Sequence, residues 1–219
     1  MCRALPHNVV AIICLLMAAL GNNMPALAED DGQQQLQHFF GDLHSFSADF
    51  SQTVRNTTGK ILQQSTGTMA LQRPLKFRWA YRSPYEQLII TNGNRLWIYD
   101  RDLEQLTIKA LNNSIGSTPA ALLSNDQPLE KTFHIRGDGQ RSNLSWVRLT
   151  PKKPDTGFEL IRLGFVRNTL SVMVLTDSFG QTSTIRFSHL QKNIKLDHKQ
   201  FIFSPPPGVD VIMDVGKSP

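Results

Sequence analysis

The segment RPLKFRWAY at residues 73–81 is followed by QLIITNGNRLWIYD at residues 87–100, and these two segments decide the fold. Apolar and polar side chains alternate in short runs, and the pair Asn92-Gly93 joins two of the runs. Two of the three tryptophans and all three tyrosines lie within residues 73–100. This pattern predicts antiparallel strands joined by tight turns, with one large apolar face. No residue set typical of catalysis occurs in these segments, which favours an apolar concave surface.

Alternating patterns continue on both sides of these segments. Helical spacing of apolar residues predicts a helix over about 31–44, with Asp30 or Asp31 as its cap. A second, short helix is predicted at 117–123, with Ser117 or Thr118 at the N-cap. Residues 201–211 contain three consecutive prolines, which predict a strap or an edge rather than regular pairing. Strands are predicted near 46–54, 61–71, 76–81, 86–91, 95–100, 105–110, 131–136, 144–150, 158–165, 170–176 and 182–189.

The number of strands predicts the architecture. About eleven antiparallel strands with two short helices indicate a single, mainly β, barrel-like domain, which we place at residues 29–219. A sheet of this length must curl, and an incompletely closed barrel has room for a ligand.

Residues 1–28 have the features of a cleaved secretory signal peptide. Arg3 precedes an uncharged, mainly apolar run from Val9 to Leu20, and Ala26-Leu27-Ala28 is a small-residue cleavage site. The alternative is a retained anchor, but the run is shorter than the roughly 20 residues that span a bilayer.

Cysteine placement supports export as a free protein. Cys2 and Cys14 both lie within the predicted signal peptide, so the mature chain would have no cysteine and no disulfide. Residue 29 is glutamate, so cleavage does not create the N-terminal cysteine that bacterial lipoproteins acylate. We therefore expect a soluble exported protein.

The charge pattern does not identify a partner. A net charge of +5 is compatible with nucleic acid, an anionic membrane or an acidic partner. The basic residues are scattered, which favours an ordinary solvated surface, and export argues against nucleic acid.

The motifs that could carry chemistry are all incomplete. Gly216-Lys217-Ser218 lacks the earlier glycine and the following helix of a phosphate-binding loop. The acidic run that begins at Asp100 has Gln105 where a calcium loop needs glycine. No histidine pair has zinc-ligand spacing, and there is no Gly-x-Ser-x-Gly elbow. We predict no catalytic residue, no metal and no cofactor.

An ordered set of short motifs resembles the periplasmic outer-membrane lipoprotein carriers, the LolA family. The matches extend over essentially the whole predicted mature chain and are weakest at about 131–146. They are Phe46-Ser47-Ala48-Asp49-Phe50-Ser51-Gln52, Gly67, Arg73-Pro74, Phe77-Arg78-Trp79, Pro84, Asn92-Gly93, Leu96-Trp97-Ile98-Tyr99-Asp100, Leu103-Glu104-Gln105, residues 117–123, Leu149-Thr150-Pro151-Lys152, Asp177, Gly180-Gln181-Thr182, Phe201, Phe203, Pro205-Pro206 and Gly208-Val209.

The resemblance implies an unclosed eleven-stranded antiparallel barrel with a helical lid over a hydrophobic cavity. It implies a non-enzymatic carrier, expected to be a monomer in the Gram-negative periplasm, that binds the acyl chains of lipoproteins. An ATP-driven transporter of the inner membrane would supply this cargo, and an outer-membrane receptor would accept it. The missing cysteine at residue 29 favours the carrier over that receptor, which shares the fold and is lipid-anchored.

The resemblance also suggests roles for individual residues. Arg73 matches the family's lid-holding arginine, although a surface arginine beside a proline turn is the alternative. At position 120 the family commonly has a bulkier apolar residue, so Ala120 implies a thinner lid contact. Ordinary core packing would use the same residue types as a cavity wall. Only one of the two alternating sets can face inward, either Leu96 with Ile98 or Trp97 with Tyr99. The candidate cavity residues are Phe77, Trp79, Ile89, Leu96, Ala120 and Leu123.

Two other functions remain open from the sequence. The same fold could serve a periplasmic lipid- or protein-sensing regulatory domain, but such regulators usually have a further C-terminal domain, and this chain ends soon after Val211. A hydrolase with catalytic residues scattered along the chain is the third possibility, and no motif supports it.

Overall fold

The structure is a computed structural model that describes residues 31–111, 119–153 and 157–214. The predicted signal peptide and the predicted N-cap at Ser117 or Thr118 lie outside the described residues. Two α-helices occur in the described part of the chain, α1 (Asp31–Gly41) and α2 (Pro119–Ser124). Short 3-10 turns occupy Leu129–Lys131 and His198–Phe201.

Twelve strands form one sheet within the described residues. The strands are β1 (Ser45–Arg55), β2 (Ile61–Gln72), β3 (Lys76–Ser83), β4 (Gln87–Asn92), β5 (Arg95–Asp100), β6 (Gln105–Ala110), β7 (Phe133–Arg141), β8 (Leu144–Pro151), β9 (Leu160–Val166), β10 (Thr169–Thr176), β11 (Thr182–Lys192) and β12 (Asp210–Asp214). Every strand predicted from the sequence is present, so the mainly β prediction is confirmed.

The sheet is not closed. Its strand order is β12-β6-β5-β4-β3-β2-β1-β11-β10-β9-β8-β7, and among the described residues the two end strands, β12 and β7, do not pair. All neighbouring strands are antiparallel except β12, which runs parallel to β6. An incomplete barrel of this kind has a concave face that the helices cover and a convex face on the other side.

Strand β7 continues to Arg141 rather than ending near residue 136, and two other differences from the sequence prediction have a local cause. Helix α1 ends at Gly41 rather than near residue 44, as expected where a glycine interrupts a helical pattern. The predicted strap at 201–211 is correct through the three prolines, but residues from Asp210 onward form a twelfth strand. Proline lacks the N–H that a ladder needs, so pairing with β6 begins only beyond Pro207.

Tight turns fix the register of the hairpins, as the sequence predicts. Asn92 Oδ1 accepts hydrogen bonds from the backbone N–H groups of Asn94 and Arg95, and Gly93 has a φ of 98°. Asp177 caps the β10–β11 connection in the same way, because its Oδ1 accepts from the N–H groups of Phe179 and Gln181. These side chains satisfy backbone donors that the ladders leave free.

Candidate binding site beneath the two helices

Arg73 links the ends of the two helices. It lies between β2 and β3, and its backbone N–H donates to the carbonyl oxygen of His44 at 2.8 Å. Its side chain donates from Nε to the carbonyl oxygen of Leu123 in α2 at 3.2 Å, and from Nη1 to that of Phe40 in α1 at 3.1 Å. One guanidinium therefore contacts the last turn of both helices.

The C-terminal carbonyl groups explain why an arginine suits this position. The last carbonyls of a helix have no partner within the helix, and a planar cation with five donors can serve several of them. The guanidinium also lies 5.3 Å from the centre of the Phe40 ring, within cation–π range. Burial lowers the pKa of Arg73, opposed by the negative charge of Asp126, but an arginine remains charged at any physiological pH.

The loop after Arg73 adds a third bond to α2. The backbone N–H of Leu75 donates to the carbonyl oxygen of Ser124 at 2.9 Å, and Ser124 is fully buried. Residues 73–75 thus hold the C-terminal end of α2 through a side chain and through the backbone. A groove of about 340 Å³ beside this contact is lined by α1, Arg73 and residues 126–130.

The predicted cavity residues come together on the concave face. Five of them are nearly inaccessible, and Ile89 is half-buried and packs against the same cluster. Strand pairing explains this, since Trp79 is opposite Ile89, and Ile89 is opposite Ile98 in the next strand. The exposed fractions of the five are Phe77 3%, Trp79 3%, Leu96 4%, Ala120 2% and Leu123 0%.

The structure also decides which alternating set faces inward. Leu96 and Ile98 belong to the interior cluster under the helices, whereas Trp97 and Tyr99 do not. Tyr99 instead packs on Phe203 of the C-terminal segment, with ring centres 5.4 Å apart. The wall beneath the helices is therefore made of aliphatic side chains in β5 and of aromatic ones in β3.

Several interior residues were not among the predicted set. Phe50 lies 4.9 Å from Trp79 between ring centres, and Phe39 of α1 lies 5.9 Å from Phe165 of β9. The period-two pattern of β1 could have identified Phe50, because Phe46 and Ala48 share its face. Phe165 could not have been assigned from its own strand, in which apolar residues occur on both faces.

A polar network anchors the other end of α1. The Asp31 carboxylate accepts hydrogen bonds from Gln35 Nε2 and Gln140 Nε2, each at 2.9 Å, and from the Ser145 hydroxyl. Gln35 Oε1 in turn accepts from the backbone N–H of Asn168 at 2.9 Å. The hydrogen bond from Ser145, followed by that from Gln35, holds the pKa of Asp31 below its usual value.

Close backbone packing reinforces this anchor. A Cβ on Gly32 would lie 2.5 Å from the carbonyl oxygen of Trp146, so only glycine lets α1 approach β8 here. The helix is therefore fixed to β7, β8 and the β9–β10 turn at its start, and to Arg73 at its end. No pattern in the sequence indicates the first of these contacts.

Metal sites and membrane-spanning helices are absent from the part of the chain that the structure describes. These residues contain no cluster of three or more His, Cys, Asp or Glu side chains placed to hold a metal ion. In the same ranges, no helix has the length and apolar character needed to cross a membrane.

Comparisons with known proteins identify relatives over nearly the whole chain. The family model described as outer membrane lipoprotein carrier protein LolA matches residues 41–204. A Dechloromonas aromatica protein named outer-membrane lipoprotein carrier protein is 43% identical over 189 residues, which are 86% of this chain and 91% of that protein. A Nitrosospira multiformis protein of the same name is 45% identical over 184 residues, covering 84% and 89%.

A solved structure supports the fold alone. An uncharacterized conserved protein from Thermus thermophilus superimposes with a TM-score of 0.54 at 11% identity, covering 83% of this chain and 98% of that one.

Proposed function

Because this chain belongs to the LolA family of outer-membrane lipoprotein carrier proteins, we propose that it carries acylated lipoproteins across the periplasm. The acyl chains would lie on the concave face beneath α1 and α2. The protein would act as a non-enzymatic monomer, formed from residues 29–219 after removal of residues 1–28. An ATP-driven transporter of the inner membrane would load it, and an outer-membrane receptor would unload it.

The free energy of acyl burial explains why a carrier is needed. Each methylene removed from water is worth about 0.8 kcal/mol, so ten methylenes contribute about 8 kcal/mol. A chain of this kind does not leave a membrane for water unless a protein covers it. The apolar cluster under the helices has the composition for this task, since its strand wall is apolar and includes Phe77, Trp79, Ile89 and Leu96.

The observation that carries the proposal is that Arg73 donates hydrogen bonds to the ends of both helices above this wall. The interior is filled by its own side chains, with Phe39 and Leu123 fully buried between helices and sheet. An acyl chain can enter only when the helices move outward and the bonds of Arg73 break. Cargo binding and lid closure therefore compete, and the competition keeps the affinity low enough for release.

Ala120 is consistent with this competition between cargo binding and lid closure. It is 2% exposed and belongs to the interior cluster, so α2 contacts the wall through a small side chain at this point. A small residue gives a weaker apolar contact than the bulkier residues common in the family. The polar bonds from residues 73–75 would then provide a larger share of the closing free energy.

Release of a lipoprotein from membranes tests the proposal. Spheroplasts that contain a newly made, labelled lipoprotein are incubated with the purified protein, and the supernatant is analysed by size exclusion. We expect the lipoprotein to leave the membrane as a one-to-one complex. Retention of the lipoprotein in the membrane at every concentration of the protein would contradict carriage.

A further inference from the structure

A groove is lined mainly by side chains on the convex face of the sheet, and Tyr81 is the lining residue that also packs against the interior cluster. It has a volume of about 620 Å³, within the range of ligand sites, and it is open to solvent. Its floor is Ala80 of β3, and Leu88 and Tyr99 of β4 and β5 form one side. Phe203, whose ring stacks on Tyr99, and Pro206 of the C-terminal segment also line it.

The C-terminal segment lies against the sheet beside this groove. Phe201 is 1% exposed and lies outside the interior cluster, and the 3-10 turn His198–Phe201 that contains it contacts β3 and β4. The Phe203 ring stacks on Tyr99. Two aromatic residues, Phe201 and Phe203, therefore fix the segment to the sheet.

Two arginines in the groove have no counter-charge. Arg78 and Arg82 lie on the same face of β3, on either side of Ala80 along the strand. Within the described ranges neither guanidinium makes a hydrogen bond or an ion pair, although Arg78 is half-buried. Glu86, the acidic residue of the groove, is already paired with Arg101.

Unpaired charge at a partly buried position calls for an explanation. Charged side chains away from water are normally paired, because desolvation costs free energy that only a counter-charge restores. Burial and, second, the positive charge of Arg82 lower the pKa of Arg78. The groove thus carries positive charge that no acidic side chain of the described residues neutralises.

We propose that this groove binds an extended acidic peptide segment of a partner protein, with acidic side chains over Arg78 and Arg82 and an apolar side chain over Ala80. The two arginines are four residues apart on a strand whose pairing with β2 skips Arg82, and a regular strand would place their Cα atoms about 13 Å apart. Two carboxylates four residues apart in an extended peptide have the same separation. The residue midway between them points to the same side and would meet Leu88 and Tyr99.

The shape of the groove favours a peptide over a lipid surface. Ala80, the floor, is only 9% exposed, and Phe203 and Pro206 rise beside it. The headgroups of a bilayer lie in a plane and do not reach a recessed floor, whereas an extended chain does. A single free phosphate also has one centre of charge, which does not match two separated guanidinium groups.

Calorimetric titration with synthetic peptides tests the proposal. The probe is acetyl-Gly-Thr-Glu-Thr-Leu-Thr-Glu-Thr-Gly-amide, and the matched peptide has glutamine in place of both glutamates. Inorganic phosphate and vesicles of phosphatidylglycerol with phosphatidylcholine are titrated separately. We expect the glutamate peptide to bind and the glutamine peptide to bind about tenfold more weakly or not at all, because hydrogen bonds to charged groups are the stronger ones.

Variants localise the binding to the groove. Arg78→Gln and Arg82→Gln should each weaken binding of the glutamate peptide about tenfold, while Arg136→Gln, at an exposed arginine of β7, should not change it. Arg82 is exposed, so its variant keeps the proposal testable if Arg78→Gln has a lowered melting temperature. Equal binding of the two peptides, or no effect of either groove variant, would overturn the proposal. Binding of phosphate or vesicles without the peptide would overturn it in favour of a phosphate ligand.

This inference is independent of lipoprotein carriage. The spheroplast assay measures binding of cargo in the interior, and the titration measures binding of peptide on the convex face. A negative result in one assay therefore leaves the other proposal unaffected.

Discussion

Arg73 donates through Nη1 to the carbonyl oxygen of Phe40 at 3.1 Å, although the two residues lie 33 positions apart in the chain. The bond joins the end of α1 to the loop between β2 and β3. Together with the bond to Leu123, it makes one side chain the common support of both helices. We therefore expect the position of both helices over the sheet to depend strongly on this residue.

Replacement of Arg73 by leucine should favour the open arrangement. The substitution keeps an apolar side chain near the Phe40 ring but removes both hydrogen bonds from the charged donor. Each such bond is worth about 1.5–3 kcal/mol, so the loss of both should lower the ratio of closed to open molecules about hundredfold or more. We expect Arg73→Leu to release lipoprotein from spheroplasts but to transfer it poorly to outer membranes, since closure no longer drives the cargo out.

A matched control separates this effect from general loss of positive charge. Arg136→Leu removes an exposed arginine of β7 and should transfer cargo normally. Hydrogen exchange of the α1 and α2 backbone should accelerate only in the Arg73 variant. If Arg73→Leu transfers cargo as well as the unmodified protein does, Arg73 has no part in the mechanism.

Asp31→Asn should change how stability depends on pH. The pKa of Asp31 is lowered in the folded protein, so its carboxylate contributes stability above the unfolded pKa of about 3.9. That contribution is lost as the pH falls through the lower, folded value. We expect the variant to be less stable than the unmodified protein at neutral pH, with a difference that shrinks below about pH 4.

Urea unfolding at a series of pH values measures this difference. Asp42 and Asp138 also have lowered pKa values, and both groups remain in both proteins. A hydrogen bond from Lys192 lowers the pKa of Asp42, while at Asp138 burial raises the pKa and the bonds from two arginines outweigh it. These contributions cancel in the comparison. A stability difference that does not vary between about pH 2 and pH 7 would show that the charge of Asp31 is not what anchors α1.

Local sequence patterns were sufficient to predict the strands of the sheet but not the contacts between the sheet and the helices. Period-two alternation predicted the bounds of β1 to β6 to within a few residues, since each hairpin buries one face and exposes the other. Alternation alone did not say whether Leu96 or Trp97 faces inward, because β5 has apolar residues on both sides. The decision comes from the helices on one face and from Phe203 on the other.

Long-range polar contacts could not be predicted from the sequence, for a physical reason. The hydrogen bond between Ser145 and Asp31 joins residues 114 positions apart, and the sequence indicated Asp31 only as a candidate helix cap. Arg73 was identified through its resemblance to the family, not through its local pattern, which fits an exposed turn equally well. The twelfth strand was missed because three prolines precede it and because its five residues pair in parallel with β6.

Gly67→Ala should destabilise the protein strongly. A Cβ at this position would lie 2.0 Å from the carbonyl oxygen of Ala80 and 2.8 Å from the edge of the Phe50 ring. Because the nearer atom belongs to the backbone of a paired strand, the sheet must shift, at a cost of about 1–3 kcal/mol or more. Thermal unfolding checks this, with Gly41→Ala as control, since a Cβ on Gly41 meets nothing within 4 Å. Equal melting temperatures for the two variants would contradict the close packing of β2 on β3.

Single cysteines can show which face of the sheet binds cargo. The proposed mature chain has no cysteine, so one introduced thiol is the sole target of a thiol-specific probe. Ile89 and Leu88 are neighbours in β4 and are both half-buried, but Ile89 faces the interior cluster whereas Leu88 faces the convex groove.

We expect the labelling rate of Ile89→Cys to change when the lipoprotein complex forms, because an acyl chain displaces the helices and covers the wall. The rate of Leu88→Cys should stay the same, since that face does not touch the chains. An equal change at both positions would mean that loading alters the whole sheet, and a change at Leu88 alone would place the acyl chains on the convex face.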